Sequence, residues 1–132
     1  MNERPTNEGG YEKSDLKKWI DTYLYSLFPL ELRKRIVELT IPSVGQVVGW
    51  ENEWDKEHFE ADDDEQLPLM KLRKNRVGIF FNNECEWGWL RNATKKEYSS
   101  ALVACVNAYG GDVSYSGASN SYGVRPAFRL KK

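Results

Sequence analysis

Few residues in this chain could do chemistry. His58 is the sole histidine, and Cys85 and Cys105 are the two cysteines. One imidazole in a charged segment supports no Ser-His-Asp relay. His58 and Cys85, joined by Cys105 and by Asp62 or Glu84, could form a tetrahedral zinc site, because thiolate and imidazole are ordinary zinc donors. The spacing contains no Cys-x-x-Cys pair. The metal reading therefore competes with a plainer one: two small apolar thiols and a surface imidazole. His58 and Cys85 are the metal-ligand candidates, and zinc is the one cofactor the set could take. No glycine-rich phosphate loop is present, since Gly110-Gly111 sits where a hairpin turns and not before a helix. The chain reads as a non-enzyme.

Two stretches could instead bind a partner. Residues 107–122 are rich in Tyr, Ser, Gly and Asn, which combine rigid aromatic area with adaptable hydrogen bonding. Tyr109, Asp112, Tyr115 and Asn120 are the contact candidates there, although the same residue types also build plain turns. The second stretch is the acidic run that contains Asp62, Asp63 and Asp64. It reads as a solvated loop, or as an acidic patch that competes with nucleic acid for a basic protein groove. Arg91 and Arg125 each follow an apolar strand residue. They could hook an anion, or pair with a carboxylate or carbonyls beneath the sheet, as half-buried arginines ordinarily do.

The elements that must carry these residues form one domain. The chain has 132 residues, 13% of them aromatic and 30% charged, with a formal net charge of −1. That length suits one core without staples. The balanced charge offers no global field for nucleic acid or an anionic membrane. The sequence begins without a signal-type apolar stretch, and two cysteines make no disulfide framework, so a cytoplasmic protein is expected. Residues 1–10 are polar, with Pro and Gly-Gly, and suit a flexible tail. Ser14 or Asp15 can cap a helix whose Leu16, Trp19, Ile20, Tyr23, Leu24 and Leu27 share an apolar face. Residues 31–39 read as a second helix, and residues 43–48 leave helix and strand open. Trp50 to Gln66 reads as a short helix followed by an exposed loop. Val77 to Phe81, Trp87 to Arg91, Ala101 to Asn107, Val113 to Tyr115 and Gly123 to Leu130 read as strands. Trp87 and Trp89 alternate about Gly88, which points both into the core. The order is helices first and then a small antiparallel sheet: an α+β domain over residues 11–132.

Trp87-Gly88-Trp89-Leu90-Arg91, the apolar run and Gly turn after it, and Gly123-Val124-Arg125-Pro126-Ala127 resemble the carboxy-terminal signature of an uncharacterised bacterial and phage family. Ser14-Asp15-Leu16-Lys17-Lys18-Trp19-Ile20 and Ile41-Pro42-Ser43 are similar to its upstream elements. Asn92-Ala93 departs from the Ser-Pro that follows Leu-Arg in that family. The resemblance implies a C-type-lectin-like fold, akin to formylglycine-generating enzymes and to the variable proteins of diversity-generating retroelements. That fold is used mainly as a presentation scaffold.

With the small size, the resemblance implies a phage or prophage protein that binds and disables a host protein in the host cytoplasm, without direct contact to nucleic acid or membrane. Its most specific form is an anti-CRISPR protein acting on an RNA-guided Cas nuclease. The alternative is a receptor- or glycan-binding module. A third reading, a metal-dependent oxidase, follows from the enzyme relatives of the fold. Its copper form asks for two close cysteines, and its iron form for two histidines and a carboxylate.

Overall fold

The computed structural model describes residues 1–79 and 83–132. In chain order the elements are α1 (Asp15–Trp19), a π-helical stretch (Ile20–Leu24), α2 (Tyr25–Leu27), α3 (Leu30–Arg35) and β1 (Ile36–Thr40). Then come α4 (Val44–Val48), α5 (Glu53–His58), β2 (Gly78–Ile79), β3 (Cys85–Glu86), β4 (Gly88–Ala93), β5 (Leu102–Val106), β6 (Val113–Gly117) and β7 (Ala127–Leu130). Among the described residues, no helix is long and apolar enough to cross a membrane.

The centre is the antiparallel sheet β4-β5-β6. Successive strand residues face opposite sides, and here both sides are covered. Trp89, Val103 and Cys105 pack on one face with Tyr11, Ile20, Leu39 and Ile41. Leu90, Ala104 and Val106 pack on the other with Val44, Val47, Val48 and Phe59. Burial on both faces explains why β5 reads as an unbroken apolar run. The fold is therefore mixed: the amino-terminal helix lies over one face of the sheet and α4 with α5 over the other. Gly110-Gly111 turns β5 into β6 as expected. Gly111 adopts φ 71°, and its N–H donates to Asn107 O at 3.1 Å.

Several expectations are corrected. Residues 36–39 leave the helix and pair antiparallel with β7, Leu39 opposite Phe128 and Thr40 opposite Ala127. Three-four spacing allowed a helix there, but ladder partners from the far end of the chain decide the strand. Residues 44–48 form a helix, with Ser43 and Gln46 in a reciprocal capping box. Trp19 faces solvent, 41% exposed. The apolar arc of the first helix is wider than the domain can cover. Ile20 is fully buried and Leu16 and Leu24 pack beside it, while Trp19, Tyr23 and Leu27 look outward. Trp87 is half-buried and only Trp89 and Leu90 lie fully inside.

Residues 1–10 lie against the body of the domain. Asn2 N–H donates to Ala118 O at 2.7 Å, and the buried Asn7 amide donates to Leu102 O at 2.8 Å. The strand expected over residues 77–81 appears as Gly78–Ile79 paired with Cys85–Glu86. Phe80 and Phe81 lie outside the described residues. Gly123 makes a single parallel bridge to Gly88, and the last strand begins at Ala127.

Trp89→Ala opens the space between helix and sheet and should cost about 3–5 kcal/mol of stability. Trp19→Ala removes an outward ring and should cost less than about 1 kcal/mol. Urea unfolding of the two variants checks the contrast, and equal losses would contradict the facing assigned to the first helix.

Candidate functional site

The β4 register slips between Trp89 and Ala93. A bulge re-aims side chains, and here it turns Arg91 and Asn92 toward α4. Arg91 N–H donates to Pro42 O at 3.0 Å. The Asn92 amide accepts from Val44 N–H at 2.9 Å and donates to Glu60 O at 2.9 Å and to Asp62 at 2.8 Å. Asp62 also accepts from Gly45 N–H at 3.1 Å, and Asp64 accepts from Ser43 Oγ at 2.7 Å and from the Arg91 guanidinium at 2.5 Å. Asp62 and Asp64 thus correct the picture of a solvated acidic run. Their carboxylates turn inward, and only Asp63 of the three is exposed.

This clamp places α5 beside the edge strand β6. Four side chains from three segments meet there in a closed cycle. Trp54 stacks on His58 at 4.2 Å between ring centroids and on Tyr115 at 5.8 Å. Tyr98 meets His58 edge-on at 4.6 Å and Tyr115 at 5.4 Å. Tyr98 Oη donates to Tyr115 Oη at 2.7 Å, which raises the Tyr98 pKa above its ordinary value. His58 Nδ1 donates to Trp54 O at 2.7 Å and fixes the imidazole against the helix. Trp54 and Tyr98 remain 37% and 43% exposed. The cycle is a rigid aromatic patch with polar tips, the composition that dominates protein contact sites.

Beneath it lies Asp55, 3% exposed. Among the described residues no hydrogen-bond donor reaches its carboxylate. Burial and, secondarily, the nearby Asp112 push its pKa up to about 6, while His58 pulls it down.

The sequence-derived candidates part company in the structure. Tyr115 and His58 join the patch, and Asp112 lies near enough to act on Asp55. Asp112 also pairs with Arg73. Tyr109 is 91% exposed at the hairpin tip. Asn120 bonds Ser116 Oγ at 2.7 Å at the far end of β6. Arg91 and Arg125 both have partners: Arg91 is held by Asp64, and Arg125 donates to Asn75 O at 2.8 Å. Trp54 and Tyr98, the other two rings of the patch, are not among the sequence-derived candidates. The four-residue spacing of Trp54 and His58 on a helix was the one signal for the first; Tyr98 carried none.

Among the described residues His58 and Cys85 join no group that could hold the expected zinc. Among the described residues no group of three or more His, Cys, Asp and Glu side chains is placed to hold a metal ion. The reason is topological. Cys85 pairs with Ile79 in one ladder and Cys105 with Trp89 in another. Burial also pushes the Cys105 thiol up to about 12, which keeps it protonated and inert.

A mixed α+β domain with a preformed aromatic surface patch is the class that fold and site define. Residues 48–132 match the family described as Domain of unknown function (DUF6273), and the chain belongs to that family. Comparison with curated proteins and with solved structures gives no match.

The raised Asp55 pKa gives a signed pH dependence. The folded state binds this proton more tightly than the unfolded chain, so the destabilisation is fully present above about pH 6 and is relieved as pH falls through that value. Asp55→Asn should raise Tm by a few degrees at neutral pH, and the gain should shrink on acidification. Thermal melts of both proteins across that range check it; a gain that grows toward acid would contradict the assignment.

Proposed function

We propose that this chain is a non-enzymatic binding module, a C-type-lectin-like scaffold that captures a protein partner on the Trp54–His58–Tyr98–Tyr115 patch. The observation that carries the proposal is the closed ring cycle with two of its rings well exposed. Rings already locked by stacking lose little conformational freedom on binding, so their buried area converts efficiently into affinity.

The partner in this reading is a host protein, and the chain is a phage or prophage product. The most specific form, supported by the sequence resemblance, is an anti-CRISPR inhibitor of an RNA-guided Cas nuclease. Inhibition of guided DNA cleavage by the purified protein is the first assay. Trp54→Ala and Tyr115→Ala should each weaken partner binding by about thirtyfold or more, the scale of an aromatic hot spot. Asp63→Lys should change it little. Binding through rings should also vary little with salt, whereas a contact through the acidic run would weaken steeply. Ring variants that fold and bind like wild type would remove the patch from the reading. Glycan-array binding without nuclease inhibition would replace the protein partner with a carbohydrate.

A further inference from the structure

The β1–β7 ladder brings together two basic runs that lie at opposite ends of the sequence. Arg33-Lys34-Arg35 closes α3 and leads directly into β1. Arg129 and Lys131-Lys132 flank the last residue of β7. Lys131 N–H donates to Arg35 O at 2.7 Å, the Arg35 guanidinium reaches Lys131 O at 3.4 Å, and Arg129 pairs with Glu38 at 2.7 Å. Lys34, Arg35, Arg129, Lys131 and Lys132 are all exposed there, and two of these five cations pair with carboxylates, Arg129 with Glu38 and Lys34 with Glu31 at 3.7 Å. A chain of net charge −1 thus carries a strong local excess of positive charge.

The elements that carry these cations also expose aliphatic side chains. Leu27, Leu30, Val37 and Leu130 are 43–60% exposed. Leu30 and Lys34 are four apart on α3, so they share a face. Farther along the first helix, the outward rings of Trp19 and Tyr23 lie 5.6 Å apart.

We propose that this corner is a docking surface for an anionic lipid bilayer. The occupant follows from the pairing of the two side-chain classes. Lys and Arg take the lipid phosphates, while Leu and Val enter the boundary between headgroups and acyl chains. Trp and Tyr favour the headgroup level itself. A nucleic-acid backbone would use the cations but leave the aliphatic groups without a role. The association is peripheral and reversible. It shares no residue with the aromatic patch and stands independently of the partner proposed there.

Sedimentation with vesicles of phosphatidylcholine, with and without phosphatidylglycerol, tests this. The full chain should bind the anionic vesicles at low salt, release at high salt, and ignore the neutral ones. Lys34→Glu with Lys132→Glu should lower partitioning by at least about tenfold, since each cation near an anionic surface contributes about fivefold. Leu27→Ser with Leu30→Ser should weaken binding even at low salt; both sites are exposed, and circular dichroism checks that the variant folds. Three results would overturn the proposal: a folded wild type that leaves anionic vesicles unbound, vesicle binding indifferent to the charge reversals, or charge-dependent binding to an oligonucleotide duplex without vesicle binding.

Discussion

The buried side-chain amide of Asn92 is the constraint on which the rest of the arrangement depends. An amide carries one acceptor oxygen and two donor hydrogens. Asn92 uses all of them: the oxygen takes the Val44 N–H, and the nitrogen serves the Glu60 carbonyl and the Asp62 carboxylate. One side chain on the sheet thereby fixes the start of α4 and the segment that follows α5. No aliphatic side chain of similar size could do this without stranding buried polar groups, each costing about 1–3 kcal/mol.

The electrostatics around Asn92 follow from that placement. Gly45 approaches Asp62 so closely that a Cβ there would lie 2.2 Å from its carboxylate, so only glycine fits. Asp62 and Asp64 take N–H and O–H donors from Gly45, Asn92 and Ser43, and Asp64 also takes the Arg91 guanidinium. With the loop held, Phe59 bridges Thr94, and α5 is seated where Trp54 and His58 can meet Tyr98 and Tyr115. The aromatic patch thus rests on a polar clamp in the segment that follows its helix.

What the sequence made legible was local. Ser14 capping α1, the Gly110-Gly111 turn and the inward Trp89 all follow from residue type and short-range spacing, whereas Trp87, expected inward by the same spacing, is half-buried. The mixed helix-and-sheet class follows from their order. What it hid was nonlocal. Residues 36–39 become a strand because β7 offers a ladder. Asp62 and Asp64 turn inward because their donors come from residues 43, 45, 91 and 92. The aromatic patch draws on residues 54, 58, 98 and 115, and the basic corner on residues 33–35 and 129–132. Average charge and local periodicity contain none of these pairings. The match to a family of unknown function over residues 48–132 covers the clamp's β4 residues and the patch, but not Ser43, Val44 and Gly45.

Within the acidic run Asp62 and Asp64 form an internal clamp, while Asp63 between them is solvated. The most direct measurement compares chemical unfolding of Asp62→Ala and Asp63→Ala, adjacent residues of identical type. Asp62→Ala strands the Asn92 amide and Gly45 N–H and should lower stability by about 2–3 kcal/mol. Asp63→Ala should stay within about 0.5 kcal/mol of the parent. Equal effects from the two substitutions would contradict the account.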